Sequence, residues 1–162
     1  MAVIRYERSF AAAAPSAVLA ARLLLSWIFV LDGLQAIGSY QEVAGYMAAN
    51  GVNGGLLPLV ILTELGGGLL VAAGLFTRPA AIALGCFCLL TAFLFHAHFA
   101  DPDEMIQFNK DLAIAGGFLS LAVSGAGRYS LDAAFAMRNT TVYRGRAPIE
   151  SDLRGPVDRR SP

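Results

Sequence analysis

Four ionisable side chains, Asp32, Glu64, His96 and Lys110, each stand in or at the end of a separate apolar stretch of the chain. An ionisable group at membrane depth costs about 2.5–3.5 kcal/mol on insertion scales, so such groups are seldom left facing lipid. A carboxylic acid there can pass on a proton, and an imidazole or ammonium can hydrogen-bond a carbonyl oxygen. Their positions within the stretches set all four at a similar depth near one membrane face. This predicts a shared polar pocket, lined also by Gln35 one helical turn beyond Asp32 and by Asn109 beside Lys110. Phe87, Phe93, Phe95 and Phe99 would supply its apolar walls.

The stretches themselves set the fold class. The 162 residues are 56% hydrophobic and only 15% charged, and the mean hydropathy is +0.58. A soluble domain carries about 25% charge. The apolar blocks run over 18–37, 56–76, 79–99 and 111–123, the last with a Gly-rich extension to 127. About 20 apolar residues cross a hydrocarbon core as a helix, and spanning backbone must satisfy its own hydrogen bonds. The expectation is an all-α polytopic membrane protein, a four-transmembrane-helix bundle. Residues 1–17 form a lead, 18–128 the membrane domain, and 129–162 an Arg-rich, mostly disordered cytoplasmic tail. Pro15 and Ser16 mark the expected start of the first helix. No cleavage site follows the first span, so it is expected to be retained.

The formal net charge of +0 conceals an asymmetry. Arg5 and Arg8 precede the first span, Arg78 lies between the second and third, and Arg128 with six further arginines follows the fourth. The two remaining connections hold Glu42, Asp101, Asp103 and Glu104 and no Lys or Arg. The positive-inside rule then predicts an N-in/C-in topology. Arg78 and Arg128 read as topology determinants that touch phospholipid. Arg22, near the same end of its span, is expected to snorkel to the headgroups. In the connection after the first span, Tyr40–Ala49 is expected to form a short interfacial helix ended by Asn50-Gly51. Thr77-Arg78-Pro79 is expected to make the turn between the second and third spans, and Asp101-Pro102 to break the chain after the third.

Glycines at helical spacing allow close helix contact in lipid. Gly67 and Gly68 share a face with Glu64, and Gly116 with Gly117 repeats the pattern on the fourth stretch. The series Glu64, Gly67-Gly68, Arg78 resembles Asp111, Gly116-Gly117, Arg128; duplication of a two-helix unit and chance both produce such a match. His96 and His98 lie on different sides of a helix, with the nearby acids in a loop, so the reading favours no metal site. Cys86 and Cys88 are about 200° apart around a helix axis and do not suit a disulfide with each other. Nothing resembles a nucleic-acid-binding domain.

Several of these segments together resemble the DoxX family. They are Thr63-Glu-Leu-Gly-Gly-Gly, Gly74-Leu-Phe-Thr-Arg-Pro, and Phe108-Asn-Lys-Asp followed by Leu112-Ala-Ile-Ala-Gly-Gly-Phe. Arg22, Asp32-Gly33, Phe95-His96 and the Gly127-Arg-Tyr-Ser-Leu-Asp132 ending fit as well, so the resemblance covers about residues 18–132. Asp111 departs from the pattern, standing where many relatives carry Asn. The resemblance implies a bacterial inner-membrane protein, and some family members are linked to quinone-dependent sulfur oxidation or to oxidative-stress complexes.

Two functions follow as expectations. In the first, the chain is a redox-associated subunit that binds a quinone or similar amphipathic molecule in an outer-leaflet pocket. Lys110 or His96 would hydrogen-bond the carbonyl, Glu64 would exchange protons, and a soluble or membrane oxidoreductase partner would supply electrons. In the second, it is a non-enzymatic scaffold whose charges only fix helix packing, with Glu64 clamped to Asn109 or Lys110. Catalysis and self-association into a homo-oligomer are open at this point, and no covalently bound cofactor is expected.

Overall fold

The computed structural model describes the backbone of residues 2–144 and the side chains of residues 14–138. Among the described residues all regular structure is helical. Six helices follow in order: α1 (Ala2–Gly38), α2 (Tyr40–Ala49), α3 (Gly54–Ala73), α4 (Thr77–Phe95), α5 (Pro102–Ser124) and α6 (Leu131–Arg144). Ala14–Gly38 within α1, all of α3 and all of α4 are long and apolar enough to cross a membrane. Their outward faces carry Leu24, Trp27, Leu59, Leu62 and Phe93, each at least 60% exposed. A monomer in water rarely shows contiguous apolar surface on that scale, whereas a bilayer requires it. The chain is a multi-pass membrane protein.

Helix α1 packs along α3, while α4 and α5 form the most extensive pair, and α3 joins the two pairs by packing on α4. The main core is Phe29, Val71, Leu84, Cys88, Phe118 and Leu121 with small residues between them. Phe29 and Phe118 meet edge to face at 5.3 Å. A smaller cluster of Ala36, Met47 and Leu57 seats α2 on the ends of α1 and α3.

Several boundaries differ from the sequence reading. Helix α1 passes through Pro15 and Ser16 and reaches back to Ala2, so the stretch expected as a lead is helical. The turn after α3 is Gly74-Leu75-Phe76, and Thr77, Arg78 and Pro79 begin α4. Gly74 supplies the left-handed residue that ends α3, at φ +68°, a conformation cheap only for glycine, and proline is tolerated in a first helical turn. Helix α5 starts at Pro102, well before the expected 111. Asp101-Pro102 is a start rather than a break: Asp101 caps the helix by accepting from Asp103 N at 2.9 Å. Pro102 follows at the start of the helix, and Asp103 and Glu104 occupy the first turn, where acids suit the helix dipole. Helix α2 occupies Tyr40–Ala49 as expected, with Gly51 at φ +77° closing it. Helix α6 covers the first part of the stretch expected as a tail; the remainder, 145–162, lies outside the described residues.

Helix α3 is not uniform. It opens as a 3-10 turn over Gly54–Leu56, becomes α-helical over Leu57–Ile61, widens to a π-helical turn over Leu62–Gly66 and resumes as α-helix to Ala73.

Candidate functional site

The π-helical turn carries Glu64 at its centre. Single π turns are rare and are found disproportionately at functional sites. Gly33 on α1 lies directly against it: a Cβ at Gly33 would stand 2.8 Å from Leu65 Cβ and 2.9 Å from Leu65 N. This close approach sets Asp32 and Glu64, the neighbours of Gly33 and Leu65, side by side on two helices. From the helix ends nearest α2, a rise of 1.5 Å per residue puts Asp32 about 9 Å deep, Glu64 about 15 Å and Asp111 about 14 Å.

The charges form one electrostatic group. Asp32 interacts with Lys110 and Asp111 of α5, and Glu64 interacts with Asp32. Asp111 interacts with His96 and Lys110 and accepts a hydrogen bond from Thr91 Oγ1 of α4 at 3.4 Å. Cys88, buried on α4, lies within reach of the charges of Asp111 and Glu64 at the floor of the group. Four helices thus contribute to it.

His96 ends α4 and pairs with Glu104 of α5, Nδ1 to Oε2 at 2.7 Å. The expected loop acid is therefore a helical residue that meets the imidazole. Tyr46 of α2 stacks on Phe95 at 5.5 Å beside this pair. Burial first, and then the charge of Glu104, push its phenol above the ordinary tyrosine range. Phe93 and Phe99 both meet Phe108 edge to face, at 5.3 and 5.0 Å.

The candidates from the sequence fall into three sets. Asp32, Glu64 and Lys110 come together, with His96 at the rim. Gln35 and Asn109 are exposed on α1 and α5, as are Asp32 and Lys110, whereas Glu64 and Asp111 are half-buried. Lys110 hydrogen-bonds Gln107 at 2.6 Å rather than clamping Glu64, because one helical turn on the same face is its shortest reach. Asp111, Thr91, Glu104 and Gly33 belong to the site although sequence reasoning had not placed them there. The signal for Gly33 was its position beside a membrane-depth acid.

Packing glycines divide similarly. Gly67 faces Leu84, and Gly68 faces Val30 and Phe29, each with a Cβ position 3.0–3.3 Å from side-chain atoms. Gly117 faces Leu25 at 3.0 Å, whereas a Cβ at Gly116 would meet nothing within 4 Å.

At the opposite end of the bundle, Arg22 does not reach the headgroups. It is 1% exposed, donating from Nη1 to Ala126 O at 2.6 Å and from Nη2 to Ala72 O at 3.2 Å. It ties α1 to the final turn of α3 and to the loop after α5, since carbonyls at helix ends lack partners within their own helix. Gly74 packs directly under its guanidinium, and a side chain there would collide with it. Asp132 completes the clasp: its carboxylate accepts from Phe76 N at 2.9 Å and Thr77 N at 3.0 Å, and its own N–H donates to Gly74 O at 2.8 Å. Burial alone would raise the Asp132 carboxyl, but the N–H groups of Thr77 and Phe76, with the Arg22 charge, hold it below the ordinary range. The resemblance segments around Arg22, Gly74 and Asp132 thus meet at one place. Arg78 and Arg128 are exposed beside it.

The sequence pattern of the DoxX family matches residues 17–97. Inner membrane protein YqjF of Escherichia coli (strain K12) is 49% identical over 115 residues, covering 71% of this chain and 88% of that protein. Inner membrane protein YphA of the same organism is 34% identical over 139 residues, covering 82% of this chain and 99% of that protein. No solved structure matches the chain. With a family match over half its length and relatives aligned over nearly their whole length, the chain belongs to the DoxX family.

Proposed function

We propose that this chain is a multi-pass inner-membrane protein whose charge group at the α2 end binds a quinone or a similar amphipathic molecule. The observation that carries the reading is Glu64 on a π-helical turn, held by the Gly33–Leu65 contact beside Asp32, which in turn interacts with Lys110 and Asp111 of α5. A cluster of two signs at membrane depth, with the Tyr46–Phe95 stack beside its rim, suits a ligand with a polar ring and an apolar tail.

Helix α5 acts as a fourth span: its 23 residues run about 35 Å, enough to cross the hydrocarbon core. With four crossings and the arginine distribution, both termini lie in the cytoplasm and α2 lies on the outer face. In this arrangement Lys110 donates to the quinone carbonyl, His96 serves the rim, and Glu64 exchanges the proton. The chain then works as the redox-associated membrane subunit of a partner oxidoreductase, which supplies the electrons. Inner-membrane placement is supported by the names of the two relatives and by the spans.

The test is titration of a soluble quinone analogue into protein in nanodiscs, followed by the single tryptophan, Trp27, five residues from Asp32. The proposal expects saturable quenching that weakens at least tenfold in Glu64→Gln. Linear quenching identical in both proteins means partition into lipid and removes the proposal.

A second reading, a scaffold without ligand, has its own observations: the Thr91–Asp111 hydrogen bond and the wholly internal bonding of Arg22. It expects Glu64→Gln to lower thermal stability while ligand titrations of the two proteins superimpose.

A further inference from the structure

A cleft of about 360 Å³ opens at the end of the bundle opposite the charge group, between the start of α4 and the loop joining α5 to α6. Its size is within the range of small-molecule sites. Phe76, Thr77, Arg78, Gly125, Ser130 and Asp132 line it. The 19 residues of α4 give a length of about 28 Å, close to the hydrocarbon thickness, so the start of α4 lies at headgroup depth.

The lining has a definite polarity. The Arg78 guanidinium lies along the bare backbone of Gly125, whose Cβ position is 3.3 Å from Nε and 3.4 Å from Nη2. Gly125 holds φ +80°, so glycine both permits the turn and leaves the channel for that side chain. Ser130 Oγ donates its proton to Gly127 O at 2.6 Å and is spent as a donor. Thr77 Oγ1 is fully buried, and the acceptor for its proton is the Asp132 carboxylate. The available donor is therefore the Arg78 guanidinium, a group suited to phosphate oxygens. Asp132 places one fixed negative charge at the same cleft, and its backbone hydrogen bonds hold it in place. Phe76, 66% exposed and at φ +48°, stands at the mouth; strained non-glycine backbone of this kind is concentrated at functional positions.

We propose that this cleft is a phospholipid headgroup site selective for an amine-bearing phosphodiester, with the phosphate on Arg78 and the ammonium on Asp132. Asp132 disfavours an inorganic phosphate carrying nearly two charges and a purely anionic headgroup, while a singly charged diester bearing its own cation satisfies both signs. Phe76 and Pro79 meet the glycerol and the first acyl carbons. The site is separate from the charge group and does not depend on what that group binds.

The experiment is native mass spectrometry of the delipidated full chain with phosphatidylethanolamine, phosphatidylglycerol or inorganic phosphate added singly. The expected result is at least tenfold tighter binding of phosphatidylethanolamine than of phosphatidylglycerol, with inorganic phosphate weaker still. Arg78→Gln should reduce it tenfold or more, while Arg128→Gln leaves it unchanged. Arg78 is exposed, so its variant should fold; melting temperature checks this in the same samples. Phosphatidylglycerol binding as tightly as phosphatidylethanolamine would show adsorption without headgroup selection, and tighter binding would show attraction to net charge; either overturns the proposal. Inorganic phosphate binding as tightly as lipid would assign the cleft to free phosphate, and unchanged binding in Arg78→Gln would place the lipid elsewhere.

Discussion

Gly33 and Asp132 carry consequences out of proportion to their size. At Gly33, any Cβ lands under 3 Å from the backbone and Cβ of Leu65, so α1 and α3 must separate. Gly33→Ala is expected to cost about 1–3 kcal/mol, the range for overpacking a close contact, and to move Asp32 away from Glu64. Gly116→Ala, with open space around it, should leave the melting temperature unchanged, and the pair of variants measured together checks the assignment. Asp132 caps the start of α4 from 55 residues away. Removing a cap costs about 0.5–2 kcal/mol, so Asp132→Ala should lower stability by that amount and Asp132→Asn by less. Because folding holds this carboxyl below its unfolded value, its contribution is complete above that value, about 3.9, and fades as pH falls through it toward the folded value. Melting temperature against pH should drop below about pH 4 in the wild type, with a shallower drop in Asp132→Asn. These residues were half visible in sequence. Gly33 stood beside an acid, but nothing in the order of residues shows Leu65 opposite it, and Arg22 read as a snorkelling cation because its acceptor at Ala126 is 104 positions distant.

Among the elements, the hydropathy blocks located α1, α3 and α4 well, since about 20 apolar residues have few other uses. Helix α2 was legible to the residue, because Asn50-Gly51 permits the left-handed exit that ends it. Asp101-Pro102 was misread because the same dipeptide breaks a strand of chain or opens a helix; the two acids that follow, suited to a first helical turn, were the deciding feature. The π turn left no periodic trace, since one extra residue per turn over Leu62–Gly66 does not alter a uniformly apolar pattern. Its role is testable by shortening it. Deleting Leu62, which is 67% exposed, should restore regular α-helix and remove the widened turn that carries Glu64. The expected outcome is loss of quinone-analogue binding while helical content by circular dichroism is retained.

For the whole molecule, the two ends of the bundle divide the labour. One end gathers charges of both signs among aromatic rings, and the other joins α1, α3, α5 and α6 through Arg22, Gly74 and Asp132. A sequence can place charges at similar depth, but their mutual approach is a property of helix packing. That is why Asp32, Glu64 and Lys110 were legible as a group and Asp111 with Thr91 was not. The orientation proposed for the bundle predicts that Gly45→Cys on α2 reacts with a membrane-impermeant maleimide in intact cells and that a cysteine placed at Arg138 reacts only after the inner membrane is opened. The most direct measurement for the account as a whole is photo-crosslinking with an azidoquinone in native membranes, with the labelled peptides mapped by mass spectrometry. With a quinone bound at the charge group, labels concentrate on the α2-proximal parts of α1, α3 and α5, around Asp32, Glu64 and Lys110, and are displaced by excess unlabelled quinone. Labels spread over the lipid-facing residues such as Leu24, Leu59 and Leu119, and not displaced by competitor, would contradict it.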